Sequence, residues 1–162
     1  MPSTYEPIAT TTISGSSNLV NFNSIPQTYT DLILVSSYAG TNTGLNIYPN
    51  GDAGSNKSAT VLRGNGTSAE SLRGSSIALR DYWTTVTNAS GEFTVSIINF
   101  NNYSNSTTYK TALVRRSVAS AYVEALINTW RSTAAITQLQ VYSANGNYTI
   151  GSTLTLYGVK SA

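Results

Sequence analysis

The run "IPQTYTDLILV" (Ile25–Val35) carries the clearest fold signal in the sequence. Pro26 fixes a turn, because its ring restricts the backbone torsion φ. Beyond the turn, the side chains of Leu32–Val35 alternate between the two faces of a strand, and both faces are apolar. A strand that is apolar on both faces is typical of a central position in a sheet. We therefore predict a central strand here.

The same alternation recurs along the chain and predicts an all-β protein. Asn145-Gly146 stands between two alternating runs, which is a strong hairpin signal. The run Arg115–Trp130 partly matches a helical period, but its β-branched and aromatic residues favour a strand for its second half.

Short strands separated by Gly/Asn turns predict one antiparallel β-sandwich domain over residues 1–162. A jelly-roll-like sandwich is the favoured version, and a closed barrel is the alternative. Residues 1–16 form an N-terminal arm or an edge strand in this prediction. The other predicted strands are Gly44–Tyr48, Phe93–Ile98, Ala112–Val114, Tyr122–Trp130, Thr137–Tyr142 and Ser152–Val159.

Composition narrows the classes of partner. Nine Lys and Arg stand against seven Asp and Glu, and only 10% of residues are charged, which is too little for a surface that tracks phosphates. No apolar run approaches the roughly 20 residues of a membrane span, and the N-terminus lacks the pattern of a secretory signal. We therefore expect no nucleic-acid partner and no membrane.

Reactive chemistry is sparse. The absence of His and Cys removes the usual nucleophile systems and nearly every zinc or iron site. Among the carboxylates only Glu124 is suspected of burial, and pairing with an arginine or solvation on an open face is the favoured interpretation. The loop "NGDAGSN" offers oxygens for calcium but a single carboxylate, so a plain Asn-Gly turn is favoured. We expect no enzymatic activity, no cofactor and no metal.

Arginine and tyrosine are the residues most suited to contacts, because both are enriched at protein interfaces. Two interpretations remain open, an interface and ordinary solvated side chains. The candidate interface residues are Arg63, Arg73, Arg80, Arg115, Arg116 and Arg131. An alternative is the stacking of neutral sugars on aromatic rings, for which the candidates are Tyr48, Tyr103, Tyr109, Trp83 and Trp130.

Four stretches resemble a group of virion proteins of tailed bacteriophages, common among marine and cyanobacterial phages. They are "TYEPIATTTISG", "NFNSIPQTYTDLILV", "GNGTSAESLRG" and the C-terminal "LTLYGVKSA". The resemblance is strongest over Ser3–Val35, Gly64–Arg73 and Ser152–Ala162, and its motifs are structural and not catalytic.

The resemblance implies a β-sandwich on the virion, assembled in the host cytoplasm. It implies a capsid decoration protein that contacts the major capsid protein or other virion proteins, with a homotrimer as the favoured oligomer. The alternative is a tail or head fibre subunit that binds a receptor or a host-surface glycan. Because no shaft repeats are present, a compact decoration protein fits better than a complete fibre.

Overall fold

The computed structural model describes residues 4–40, 44–88 and 92–160. Their regular structure consists of strands, and no helix among them is long and apolar enough to cross a membrane. The strands are β1 (Tyr5–Thr12), β2 (Leu19–Phe22), β3 (Asp31–Tyr38), β4 (Leu45–Pro49), β5 (Lys57–Gly64), β6 (Ala69–Ser76), β7 (Leu79–Arg80), β8 (Thr94–Asn101), β9 (Lys110–Ser117), β10 (Val123–Trp130), β11 (Leu139–Ser143) and β12 (Thr153–Val159).

The strands form two antiparallel sheets of unequal size. The large sheet has the order β1-β12-β3-β8-β9-β10-β5-β6, and the small sheet has the order β2-β11-β4-β7. From β1 to β5 the chain alternates between the large sheet and the small sheet. The predicted antiparallel β-sandwich is confirmed.

The core lies between the sheets and includes the strand on which the sequence prediction rests. Leu32 and Leu34 of β3 and Leu154 and Leu156 of β12 are fully buried, and β3 has β12 on one side and β8 on the other. Each such leucine contributes about 1.5–3 kcal/mol relative to an exposed side chain. The prediction of a central strand is confirmed.

The two ends of the described chain meet at one edge of the large sheet. Edge strand β1 pairs with β12, so that Tyr5 lies opposite Val159. The ion pair between Lys160 Nζ and Glu6 Oε1, at 2.7 Å, closes this edge.

Two local predictions have different outcomes. The predicted hairpin at Asn145-Gly146 is wrong, because β11 belongs to the small sheet and β12 to the large one, although Gly146 does adopt a turn conformation with φ of 71°. The preference for a strand in the second half of Arg115–Trp130 is confirmed. There β9 ends at Ser117, a turn follows in which the Tyr122 N–H donates to the Val118 carbonyl, and β10 begins.

Candidate interaction surfaces

Part of the outer face of the large sheet carries exposed aliphatic side chains, although an antiparallel sheet in contact with water is usually polar on that side. Seven of the sixteen residues that point away from the core on β8, β9, β10 and β5 are aliphatic, and most of the others are Ser, Thr or Asn. Five of the aliphatic side chains are more than a third exposed, namely Leu62 (63%), Val95 (47%), Leu113 (36%), Val123 (66%) and Ile127 (48%). We call these five residues, together with Ile97, Ala125 and Arg115, the outer apolar face.

Strand register makes this face continuous. Arg115 lies opposite Ile97 of β8 on one side and opposite Ala125 of β10 on the other. Ala125 in turn lies opposite Leu62 of β5. Directly opposed side chains of an antiparallel pair have Cβ atoms about 4.5–5.5 Å apart, so these side chains contact one another across four strands.

Arg115 is the cation at the centre of the outer apolar face. It is exposed and makes no ion pair within the described part of the chain. The only other charged side chain at the outward positions of β5, β6, β8, β9 and β10 is Arg73. The ends of these strands also line an open depression of about 890 Å³. The eight residues of the outer apolar face therefore carry one positive charge and no carboxylate, but Glu70, which is 42% exposed and pairs with Arg63, lines the adjoining depression.

The six predicted interface arginines do not share one surface. Arg115 and Arg73 point outward on the large sheet, and Arg131 is exposed after β10. Arg63 points inward, where its Nε lies 2.5 Å from Glu70 Oε1 and its guanidinium lies over the Tyr122 ring. Arg80 is half-buried on the small sheet. Arg116 is buried in the core, so it cannot contact a partner protein, and its prediction as an interface residue is wrong.

Arg116 belongs to a buried charged cluster between the sheets. Its Nη1 donates to Glu124 Oε2 at 2.6 Å, and both side chains are fully buried. Asp81, also fully buried, accepts from the Tyr38 hydroxyl and from the Leu45 N–H, each at 2.7 Å. The arginine pairing expected for Glu124 is therefore present, but inside the sandwich and not on an open face.

The electrostatics of this cluster follow from its burial. Burial raises the pKa of the Asp81 carboxyl, although Arg116 opposes that shift. Burial by itself lowers the pKa of Arg116, but Asp81, Tyr38 and Glu124 raise it above its usual value, so the guanidinium stays charged. The cluster binds the segment after β7 to the large sheet, because the Trp83 N–H also donates to Glu124 Oε1 at 3.4 Å. Its role is structural.

The predicted sugar-stacking residues are also dispersed. Trp130 and Tyr103 are buried in the core, so they present no ring face to a ligand. Trp83 is half-buried near β6, and Tyr109 is exposed in the loop before β9. Tyr48 is half-buried on the outer face of the small sheet, where its ring meets Tyr142. Tyr142 is not among the predicted residues, because its position beside Tyr48 depends on the pairing of β11 with β4, which is not visible in the sequence.

The loop considered for calcium holds a cation of its own. Lys57 Nζ lies 2.7 Å from the Asp52 carbonyl, 2.8 Å from Asn56 Oδ1, 3.1 Å from the Gly54 carbonyl and 3.2 Å from Asp52 Oδ1. The ammonium stands where a metal ion would have to bind these oxygens. Trp130 Nε1 donates to Asp52 Oδ2 at 2.6 Å and ties the loop to the core. Among the described residues no group of three or more His, Cys, Asp or Glu could hold a metal ion.

Comparisons with known proteins add little about function. No family model and no curated protein sequence matches this chain. Among solved structures the chain is similar to an exo-inulinase from Aspergillus awamori, with a TM-score of 0.45 and 12% sequence identity. The match covers 96% of this chain and 29% of the inulinase, so the chain spans less than a third of that protein. A similarity this weak carries no inference about activity.

Proposed function

We propose that this protein is a structural module that attaches to a larger protein assembly through the outer apolar face. The observation that carries the proposal is the exposed aliphatic surface around Arg115. Clustered exposed apolar side chains on a soluble protein mark interaction sites more often than singly scattered ones do. The inner face of the large sheet already packs against the small sheet. A partner protein that covered the outer apolar face would remove its exposed aliphatic side chains from water.

The charges of the face indicate what covers it. A second copy that presented the same face across a two-fold axis would bring the Arg115 side chains together, and the nearby Glu70 of each copy is already paired with Arg63. A buried cation without a partner is strongly destabilising. The matching surface is therefore that of a different protein, with aliphatic side chains and a carboxylate placed against Arg115.

We further propose that this partner is the major capsid protein, or another virion protein, of a tailed bacteriophage. The four stretches that resemble phage virion proteins support this, and a rigid β-sandwich with one apolar side suits a protein that decorates a capsid. A homotrimer held by other surfaces belongs to the same proposal, and analytical ultracentrifugation of the purified protein tests it. In this role the sandwich acts through contact area and rigidity and not through catalysis.

The experiment is cosedimentation of the purified protein with capsids of its phage prepared without it. Val123→Glu places a charge on the outer apolar face, whereas Ile150→Glu is a matched control, because both side chains are 66% exposed and Ile150 lies in a loop outside that face. We expect the Val123 variant to lose at least about tenfold in affinity, and the Ile150 variant to bind as the wild type does.

Two further measurements decide the outcome. Arg115→Glu should weaken binding as strongly as Val123→Glu, because it opposes the carboxylate of the partner. Immunogold labelling should place the protein over the capsid shell. Equal binding by the Val123 and Ile150 variants would refute the docking face, and labelling confined to the tail would refute the decoration role.

A further inference from the structure

A second open surface lies on the other side of the sandwich and has no part in the proposed docking. It is a groove of about 370 Å³ on the outer face of the small sheet, which we call the tyrosine groove. Its lining includes Asn46 and Tyr48 of β4, Gln140 and Tyr142 of β11, and Gly51 and Ala53 of the loop after β4. This volume is at the low end of the range for small-ligand sites, about 300–1,000 Å³.

Two tyrosines form the floor of the tyrosine groove. Register places Tyr48 opposite Gln140 and Tyr142 opposite Asn46, so the two rings are diagonal neighbours on one face. Their centroids are 5.6 Å apart and their planes are perpendicular. In this geometry the edge of one ring packs against the face of the other, and both rings are half-buried.

The polar groups of the groove are neutral. The Tyr82 hydroxyl donates to Asn46 Oδ1 at 3.1 Å, which orients this amide and leaves its NH₂ group able to donate to a ligand. The Gln140 amide and the hydroxyls of Tyr48 and Tyr142 make no hydrogen bond within the described residues. Gly51 has a φ of 69°, a left-handed turn conformation that carries the loop past the Gln140 side chain.

We propose that the tyrosine groove binds a neutral saccharide of one or two rings. The apolar C–H face of a sugar ring packs on an aromatic face, while its hydroxyls both donate to and accept from amides and phenols. No charged side chain lines the groove, and Arg80, which lies opposite Asn46 on the neighbouring strand, places its guanidinium over the Tyr82 ring. Perpendicular rings also leave no parallel slot for a flat aromatic base, whereas a sugar needs a single stacking face.

The position of the groove makes this role compatible with docking but independent of it. The outer apolar face belongs to the large sheet and the tyrosine groove to the small sheet, with the core between them. A module attached by the first surface would therefore direct the second one away from its support.

The experiment is a saturation-transfer NMR screen of the purified protein, followed by calorimetric titration of each positive. The probes are methyl glycosides of neutral hexoses, neutral disaccharides such as lactose and maltose, and sialyllactose as a charged comparator. We expect neutral probes to bind and Tyr142→Ala to weaken them by at least about tenfold. Tyr109→Ala is the matched control, because Tyr109 is exposed but far from the groove in sequence and strand order, and it should change affinity by less than about twofold.

A second variant distinguishes a blocked groove from a misfolded protein. Ala53 is exposed on the groove rim, so Ala53→Trp should leave the thermal midpoint unchanged while it blocks the groove and abolishes binding. The proposal is overturned if no neutral probe binds, if sialyllactose alone binds, or if Ala53→Trp and Tyr142→Ala bind as the wild type does. A loss in Tyr109→Ala with retention in Tyr142→Ala would place sugar binding elsewhere and overturn it equally.

Discussion

Replacing Lys57 with methionine tests how the loop between β4 and β5 is held. Methionine keeps most of the aliphatic stem that packs in the core and removes only the ammonium. Lys57 Nζ donates to the carbonyls of Asp52 and Gly54 and to Asn56 Oδ1, and its side chain is fully buried. We expect Lys57→Met to fold but to be clearly less stable than the wild type.

The size of the effect follows from these contacts. Removal of one partner from a buried charged pair costs about 3–5 kcal/mol. Each buried acceptor left without a donor costs about 1–3 kcal/mol. Solvent reduces these costs here, because the Asp52 side chain is 27% exposed and water can reach part of the loop. We therefore expect a loss of about 3 kcal/mol, which lowers the thermal midpoint of a chain this size by about 6–12 °C.

Urea unfolding followed by tryptophan fluorescence measures this loss, because Trp130 Nε1 donates to Asp52 Oδ2 and reports on the loop. The matched control is Lys160→Met. Lys160 also forms an ion pair, with Glu6 at 2.7 Å, but the two side chains are 45% and 33% exposed. Exposed pairs contribute little to stability, so this variant should unfold at the wild-type midpoint.

One result would refute the reasoning about Lys57. If Lys57→Met and Lys160→Met unfold at the same urea concentration with the same slope, the buried ammonium stabilises the fold no more than a solvated one does. The oxygens around it would then need no cation, and the loop would owe its conformation to the Asn-Gly turn and to the hydrogen bond from Trp130 to Asp52.

Three further predictions follow from the described contacts. Burial by itself would raise the pKa of Asp52, but hydrogen bonds, led by one from Asn56, outweigh burial and hold that pKa well below its usual value. The stability that this carboxylate contributes should therefore be present above about pH 4 and be lost as the pH falls toward the lower pKa of the folded state. Asp52→Asn should make the loss of stability with falling pH less steep. Glu124→Gln weakens the buried pair with Arg116 and should cost about 3 kcal/mol in urea unfolding. Gly158→Ala would place a Cβ 2.4 Å from the Tyr29 ring and should cost about 1–3 kcal/mol by calorimetry.

Each of these predictions has a control or a contrary outcome. The Asp52 prediction is wrong if Asp52→Asn and the wild type lose stability in parallel below pH 4. Glu70→Gln, at a carboxylate that is 42% exposed, should cost much less than Glu124→Gln. Gly64→Ala meets its nearest atom at 3.7 Å, so it should be tolerated, and equal losses at Gly64 and Gly158 would contradict the steric argument.

The candidate surfaces were predictable only in part from residue type. The choice of arginine included Arg115 and also Arg116, its neighbour on β9. Alternation sends these two side chains to opposite faces, so one is exposed and the other is buried against Glu124. Residue type could not distinguish them, because both faces of β9 and β10 carry aliphatic residues and either one could have been the core side.

The sequence by itself determined the local secondary structure of much of this protein. Alternation of apolar side chains located β3, β4 and β8 to β12, since a strand must present one face to a core, but it did not delimit β2, β5, β6 or β7. It also fixed the all-β class and the central place of the run Ile25–Val35.

Only the tertiary structure decided which strands share a sheet and which side of each strand is covered. Asn145-Gly146 makes a turn, as its sequence predicts. The strands on its two sides do not pair with each other, because β11 pairs with β2 and β4 in the small sheet whereas β12 pairs with β1 and β3 in the large sheet. The same long-range pairing brings Tyr142 beside Tyr48 and leaves the outer apolar face without a second layer. The physical reason is that a strand pattern is local, whereas burial depends on which distant strands and loops pack above it.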